Sequence, residues 1–282
     1  MVYIENLQFS YKNKLLYKFN IKFDAGHIYG LLGKNASGKT TLLGLISGNL
    51  FTNKGKIKTL GYNPKSRDAN MLEQIFYLPE QFILPAISSK EYIKLYSVFY
   101  PNFSHSDFER YTKEFEVENV KKLKSLSMGQ QKKFLLSFGL SCNCPLNLLD
   151  EPTNGLDIPS KTVFRRLIAS SATKEKTFII STHQINDIEN LIDQVSIISD
   201  RKVTLNSSID SLSNSLVMIQ KSHLDGSEIY SEDAGLGRFN VIQTSNDDGS
   251  NSINLELLFN ATLTNSEALN QAIGGQNATI TF

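Results

Sequence analysis

One short glycine-rich segment restricts the possible folds of this 282-residue chain more than any other feature of its sequence. Residues 33–40 read GKNASGKT and match the pattern G-x-x-x-x-G-K-[ST]. The apolar run HIYGLL at 27–32 predicts a strand before the segment, and TLLGLIS at 41–47 predicts a helix after it. A chance match in an ordinary glycine-rich turn would require neither neighbour. We therefore expect a phosphate-binding loop between a strand and a helix.

The residues of this loop have distinct predicted roles in holding a nucleotide. Gly33 and Gly38 allow the backbone to wrap closely around an anion, and backbone N–H groups would surround the phosphate oxygens. Lys39 is expected to reach the β- and γ-phosphates, and Thr40 to bind Mg²⁺. The predicted nucleotide contacts are Gly33, Lys34, Asn35, Ala36, Ser37, Gly38, Lys39, Thr40 and Thr41.

Polar side chains also follow two later apolar runs. The run LNLL ends in Asp150 and Glu151, and the run TFIIST ends in His183. On their own, these motifs are ordinarily a solvated acidic turn and a structural histidine. Because the carboxyl ends of parallel strands share one edge of a sheet, we expect all three motifs to form one site. In that site Asp150 would bind Mg²⁺, Glu151 would orient the attacking water, and His183 would contact the γ-phosphate.

Charge and composition divide the chain near residue 210. Residues 211–282 contain eight acidic and two basic side chains, whereas the whole chain has 28 acidic and 29 basic ones. The Ser- and Asn-rich runs SLSNS and TSNDDGSNS lie in the same segment. Residues 1–210 alternate strand-like and helical runs, which predicts an α/β fold with a mostly parallel sheet and a helical insertion at about 85–140. LVMIQK, FNVIQT and INLELLFNATL predict a small α+β extension after residue 210.

Composition argues against several other classes of protein. A hydrophobic share of 40% with 20% charged residues is ordinary for a globular protein and does not fit a disordered or coiled-coil chain. Cys142 and Cys144 are too close for an unstrained disulfide and too few for a structural zinc site, so they predict buried thiols in a reducing compartment. No apolar run approaches the roughly 20 residues that span a bilayer, and the N-terminal residues do not read as a secretory signal.

The order of these motifs resembles that of the ATP-binding subunits of ABC transporters. LSMGQ at 126–130 is similar to the family signature LSGGQ, with Met128 in place of the first glycine, and it precedes the LNLLDE run. The resemblance covers residues 1 to about 210. It implies a P-loop ATPase fold with an antiparallel β subdomain and a helical insertion. It also implies that signature residues contact the ATP held by the opposite subunit, namely Ser127, Gly129 and Gln130.

Three further motifs resemble those of the same family. NGLD at 154–157 is similar to the family's D-loop, which implies that Asp157 lies at the dimer interface. Tyr11 occupies the position of an aromatic residue that stacks on adenine, although a tyrosine there is also ordinary in a strand. After the run YLP the family has a glutamine that links Mg²⁺ to the membrane partner. Here that position is filled either by Glu80, a carboxylate in place of the amide, or by Gln81 after a slip of one residue.

The resemblance implies an ATP-hydrolysing subunit that dimerises around two ATP molecules, with Mg²⁺, and drives a separately encoded membrane permease. The motif sequences are most similar to those of bacterial exporter ATPases, which implies a cytoplasmic protein held at the inner face of the cell membrane by its permease. The alternative is a soluble ABC ATPase acting in cofactor assembly or other remodelling. A kinase or GTPase is disfavoured by LSMGQ and by the lack of an NKxD motif. No basic aromatic stripe predicts nucleic-acid binding.

Overall fold

A computed structural model of the chain describes residues 1–11, 14–52, 54–245 and 251–274, leaving aside the side chains of residues 11–18. Its strands are β1 (Val2–Tyr11), β2 (Lys14–Phe23), β3 (Ile28–Leu32), β4 (Lys54–Thr59), β5 (Ile75–Leu78), β6 (Leu146–Asp150), β7 (Thr177–Thr182), β8 (Gln194–Ser199), β9 (Lys202–Ser208), β10 (Leu216–Lys221), β11 (Tyr230–Gly235) and β12 (Arg238–Thr244). Its α-helices are α1 (Lys39–Ile46), α2 (Ala69–Leu72), α3 (Ser89–Tyr96), α4 (His105–Glu114), α5 (Met128–Ser141), α6 (Ile158–Ser171), α7 (Ile209–Ser215) and α8 (Leu255–Ala272).

A six-stranded sheet forms the centre of the molecule, in the order β5-β6-β7-β3-β8-β9. The first five strands pair in parallel, and β9 pairs with β8 in the antiparallel direction. Every residue of β3, β6 and β7 is buried, as expected for parallel strands covered on both faces. The predicted α/β fold with a mostly parallel sheet is confirmed.

An antiparallel sheet and helix α1 cover one face of this central sheet. The strand order of the antiparallel sheet is β2-β1-β4. Alternate residues of its strands, such as Ile4 and Ile21, pack into one apolar cluster with Leu43 of α1 and Leu148 of β6. This cluster fixes the start of α1 against the carboxyl edge of the central sheet, which matters for the site described below.

Helices α3, α4, α5 and α6 lie on the opposite side of the central sheet. Two of them begin with a capping box, Ser88 with Glu91 at α3 and Ser127 with Gln130 at α5. The aromatic side chains between α3 and α5 meet edge to face, as Tyr92 does with the ring of Phe134. This packing builds the expected helical insertion onto the same core as the sheet.

The C-terminal segment packs directly onto the central sheet. Strands β10, β12 and β11 form an antiparallel sheet, in that order, and α8 packs against the main apolar core. Buried Ile242 and Leu258 belong to the same apolar cluster as Ile197 of β8. The backbone N–H of Leu255 also donates to Glu189 Oε1 at 2.8 Å. The α+β character expected after residue 210 is therefore present, and its core is continuous with that of the larger segment.

The two cysteines are both buried and free, as the sequence predicts. Burial also raises the pKa of the Cys142 thiol, so this side chain behaves as a small apolar group. Within the described ranges, no helix has both the length and the apolar composition that crossing a membrane requires.

Candidate functional site

Three chain segments meet at the carboxyl edge of the central sheet. Strands β6, β7 and β3 are neighbours, and their register aligns Leu32 with Thr182 and Asp150 with Ser181. The loop after β3, the acidic pair after β6 and the histidine after β7 therefore leave the sheet side by side. A cavity of about 650 Å³ opens there. The predicted site residues that line it are Asn35, Ala36, Gly38, Lys39, Thr40, Thr41, Glu80, Glu151 and His183.

The loop from Gly33 to Thr41 curls around the start of α1. Gly38 is the N-cap residue of this helix and has φ 106, a left-handed conformation that glycine adopts without steric cost. Ala36 is also left-handed, with φ 62. Gly38 provides no side-chain cap, so an anion in the cavity would meet the positive end of the α1 dipole.

Lys39 is buried in the wall of this cavity. Its Nζ donates to the backbone oxygens of Gly33 at 2.8 Å and Lys34 at 3.4 Å. The same atom lies 3.8 Å from Glu151 Oε1. Burial lowers the pKa of Lys39, and the nearby Glu151 carboxylate opposes that shift. The ammonium group is thus folded back onto its own loop, at the place where a phosphate would offer it a stronger partner.

Glu151 is the buried carboxylate at the centre of the site. Its backbone is left-handed, with φ 47, which turns the chain sharply after β6. Oε1 lies 2.9 Å from Nδ1 of His183, and Oε2 accepts a hydrogen bond from Thr182 Oγ1 at 3.2 Å. The carboxylate is therefore fixed against the end of β7 and faces the cavity. A carboxylate in this position can orient a water molecule and accept its proton.

Asp150 lies behind the cavity and is fully buried. Ser181 Oγ donates to its Oδ1, whereas Oδ2 has no hydrogen-bond partner in the described part of the chain. A buried carboxylate oxygen without a partner is costly unless a cation or donor reaches it. The described residues hold no cluster of three or more His, Cys, Asp or Glu side chains suited to a metal. Mg²⁺, however, commonly uses only one or two protein ligands together with phosphates and water.

The structure separates the two candidates at positions 80 and 81. Glu80 is half-buried and lines the cavity, whereas Gln81 is exposed and does not belong to the described lining. Tyr11 ends β1, and its side chain lies outside the described residues. Asp157 lies away from the cavity lining: its Oδ1 accepts from Ser160 N at 2.9 Å and caps α6. Hydrogen bonds from Ser160 lower the pKa of Asp157, so this exposed side chain stays ionised.

The signature segment begins helix α5. Ser127 Oγ accepts from Gln130 N at 3.3 Å, and Gln130 Oε1 accepts from Ser127 N at 3.0 Å. At Gly129 an added Cβ would lie 2.6 Å from the carbonyl oxygen of Gly155, so any side chain there would clash. The described lining of the cavity contains no residue of this signature segment. A single chain therefore keeps its signature residues apart from its phosphate loop.

Lys132 is a buried residue that the sequence argument missed. Its side chain is 2% exposed, and Nζ donates to the backbone oxygens of Glu151 at 2.8 Å and Asn154 at 2.9 Å. Burial lowers the pKa of Lys132. It ties the signature helix to the left-handed turn that aims Glu151. Helical periodicity offered a signal, because Lys132 shares a face with buried Leu135 and Leu136.

We expect Lys132→Met to reduce the rate constant of the hydrolysis assigned to Glu151 at least about tenfold. The backbone oxygens of Glu151 and Asn154 lose their buried donor, so the turn that orients Glu151 is held less firmly. Affinity for the nucleotide should change by less than about threefold, since Lys132 does not line the cavity. Lys176→Met is the matched control: Lys176 donates to Asn143 Oδ1 at 2.7 Å from the opposite edge of the sheet. Equal losses in both variants, or no loss in Lys132→Met, would contradict this role. Steady-state kinetics with separate binding measurements decide between these results.

Comparison with known proteins relates this geometry to one family. The sequence profile of the ABC transporter family matches residues 16–154. The ABC transporter ATP-binding protein YtrB of Bacillus subtilis (strain 168) is 29% identical over 210 residues, covering 74% of this chain and 72% of that protein. The lantibiotic transport ATP-binding protein SrtF of Streptococcus pyogenes is 28% identical over 217 residues, covering 76% and 93%.

The fold comparison agrees with the sequence comparison. A dimeric structure of the ATP-binding cassette MJ0796, in a post-hydrolysis state bound to ADP and Pi, superposes with a TM-score of 0.64. The two sequences are 24% identical, and the alignment covers 74% of this chain and 98% of that one. This likeness shows that the aligned part of the chain has the same fold.

Proposed function

We propose that this chain, a member of the ABC transporter family, binds and hydrolyses ATP as the motor subunit of a transporter whose membrane-spanning part is a separate chain. One observation carries the proposal. The phosphate loop, the buried Glu151 and His183 share one cavity, with Lys39 Nζ 3.8 Å from Glu151 Oε1. That arrangement supports the proposal, because a lysine suited to binding phosphate lies beside a carboxylate suited to orienting a water molecule.

Each of three cavity residues has a separate proposed role in phosphoryl transfer to water. Lys39 would leave the carbonyl oxygens of its own loop and contact the phosphates, whose charge favours its ammonium form. Glu151 would orient the attacking water and take its proton, and His183 would contact the γ-phosphate from the end of β7. Positioning and charge stabilisation supply most of the rate in this reaction.

The same cavity suits a magnesium ion bound together with the nucleotide. Thr40 lines the cavity next to Lys39, and buried Asp150 has one oxygen, Oδ2, without a hydrogen-bond partner among the described residues. These two side chains would hold the ion. When bound, Mg²⁺ would neutralise phosphate charge during the reaction.

A second copy of the chain would complete each site. Ser127, Gly129 and Gln130 begin α5 outside the cavity lining of their own chain, so another chain must bring its signature to the ATP. Two ATP molecules would then lie between two chains, each bound by the phosphate loop of one and the signature of the other. ATP binding would close this dimer and phosphate release would loosen it, which supplies a movement for a partner to use.

Exposed apolar side chains after α3 and in the loop after Glu80 are the proposed docking surface for the permease. Val98 and Phe99, just after α3, are 72% and 65% exposed, and Ile83 lies exposed in the loop that follows Glu80. Val98 and Phe99 are consecutive residues, and neighbouring exposed apolar side chains commonly mark a protein interface. Because Glu80 lines the ATP cavity, this loop would connect the docking surface to the nucleotide. The subunit would accordingly sit at the cytoplasmic face of the membrane, and similarity to a relative named for export, the SkfA peptide export ATP-binding protein SkfE of Bacillus subtilis (strain 168), favours an exporter.

Co-purification from gently solubilised membranes of the source cells tests the proposal. We expect a stoichiometric integral membrane protein with the tagged wild-type chain, and at least about tenfold less with Val98→Asp/Phe99→Asp, because charges would enter an apolar contact. Leu236→Asp, at a fully exposed apolar residue of the C-terminal segment, is the control and should retain the partner. Recovery of soluble proteins alone, from a chain that hydrolyses ATP, would favour the soluble ABC ATPase instead.

A further inference from the structure

A second, smaller cavity lies against the phosphate loop. Its volume is about 260 Å³, and its lining includes Lys34 and Asn35 of the loop, His183 after β7, Ile185 of the following turn and Phe259 of α8. Phe259 is the one C-terminal residue among the described residues of this lining. The C-terminal segment therefore reaches the margin of the candidate ATP site.

Helix α8 is held firmly in this position. Leu255 and Leu258, which lie one turn apart on the same face of the helix, are buried in the main apolar core. The Leu255 N–H donates to Glu189 Oε1 at 2.8 Å, which fixes the start of α8 beside the segment that carries His183. Phe259 is half-buried and packs against the same core. The ring of Phe259 therefore lines the cavity from a helix whose first turn is fixed by core packing and by a hydrogen bond.

The two cavities share part of their rim. Asn35 and His183 line both of them, so a chain that covers the phosphates would also lie next to the smaller cavity. The signature residues needed at the phosphates are absent from the described cavity wall of the same chain. If the proposed function holds, a second copy covers this rim when ATP is bound.

We infer that Phe259 is part of the ATP-dependent interface between two copies of this chain, and that the second copy closes over the apolar cavity as it brings its signature to the ATP. This inference rests on the proposed function. On this inference, the segment after residue 210 extends the contact surface of the nucleotide-bound dimer through α8.

The second copy has apolar side chains to place against Phe259. Met128 at the start of α5 is 58% exposed, and Ile158 directly after Asp157 is 81% exposed. Both adjoin segments expected at the dimer interface. An aromatic ring that is half-buried in one chain and becomes enclosed by apolar atoms of another is typical of a residue that contributes strongly to binding.

A tryptophan at position 259 reports the enclosure directly, because the chain contains no tryptophan of its own. In a Glu151→Gln background we expect Phe259→Trp emission to shift to the blue with Mg²⁺ and ATP, and acrylamide quenching to fall at least about twofold. The midpoint should follow protein concentration, which separates dimer formation from nucleotide binding. ADP should have no such effect. Leu263→Trp, one turn further along α8 at a half-buried residue outside the described cavity lining, is the control.

A loss-of-contact variant gives the second readout. In the same background, Phe259→Ser should raise the dissociation constant of the ATP-bound dimer at least about tenfold and leave nucleotide affinity of the monomer unchanged. Leu263→Ser should dimerise like the Glu151→Gln parent. A dimer that forms without change in the emission of the Phe259→Trp variant, or that tolerates Phe259→Ser, overturns the inference alone. A parent that stays monomeric with ATP overturns the dimeric site of the proposed function and this inference together.

Discussion

Replacing Glu151 with glutamine is expected to lower Mg²⁺-dependent ATP hydrolysis by about 1000-fold, within the range that loss of a general base produces. Glutamine has nearly the same size and can keep the hydrogen bond from Thr182 Oγ1 to the side-chain oxygen. It cannot take a proton from water, and it removes the negative charge next to His183 and Lys39. Affinity for ATP should stay the same or increase, because the substitution removes a negative charge close to the γ-phosphate.

A matched substitution separates this effect from a general loss of fold. Glu175 is exposed and lies before β7, at the opposite edge of the sheet from the cavity. Glu175→Gln should hydrolyse ATP at the wild-type rate. The role of Glu151 would be wrong if Glu151→Gln retained more than about a tenth of the activity, since a missing general base costs at least about 100-fold. Phosphate release in the steady state, with the melting temperature of each variant, is the measurement.

Replacing Lys39 with alanine should weaken ATP binding at least about 30-fold, which corresponds to the loss of one partner of a buried charged contact. The substitution removes the ammonium group that would meet the phosphates. It also removes the donor to the backbone oxygens of Gly33 and Lys34 and the cation beside the buried Glu151 carboxylate, so the melting temperature without ATP should fall. ATP affinity is therefore measured well below the melting transition of the variant, where the loss of the phosphate contact is seen separately from the loss of stability.

Lys34→Ala is the control for this second prediction. Lys34 lies in the same loop, but its predicted contact with the nucleotide is through its backbone, and its exposed side chain is outside the described lining of the ATP cavity. We expect its affinity for ATP to stay within about threefold of wild type. Equal weakening in Lys34→Ala and Lys39→Ala would indicate a general effect of loop charge. Titration calorimetry of both variants with ATP distinguishes these results.

The central part of the fold could be predicted from the sequence because its signals are local. The apolar runs before residues 33, 150 and 183 are short, and each is followed by a polar motif. A parallel sheet brings such strand ends together, and the neighbouring strands β6, β7 and β3 do so here. The resemblance to ABC transporter subunits also rests on motifs in chain order, which do not depend on knowing the packing.

The contacts missed from the sequence depend on packing between distant segments. Lys132 stands in a helix that reads as mostly apolar, and only the approach of α5 to the turn after β6 shows that its ammonium group meets two carbonyl oxygens. Ser181 and Thr182 read as strand residues, yet their hydroxyl groups contact the two acids. Phe259 follows the phosphate loop by more than 200 residues, and no local pattern indicates its place.

The choice between Glu80 and Gln81 shows a further limit of sequence patterns. Both residues can contact a metal-bound water, and a slip of one position along a loop leaves no trace in hydropathy. Burial separates them in the structure, because only Glu80 reaches the described cavity wall. The variants above test the roles of the individual site residues and of the segment after residue 210.

The most direct test of the account is the mass in solution of purified Glu151→Gln protein, measured by analytical ultracentrifugation with Mg²⁺ and ATP. We expect a dimer with ATP, a monomer without nucleotide or with ADP, and no ATP-driven dimer when Lys39→Ala or Ser127→Arg is added. The two added substitutions should differ in ATP affinity, because Lys39→Ala weakens ATP binding whereas Ser127→Arg retains it. A monomer that stays monomeric at saturating ATP would contradict the claim that two copies of this chain share each ATP.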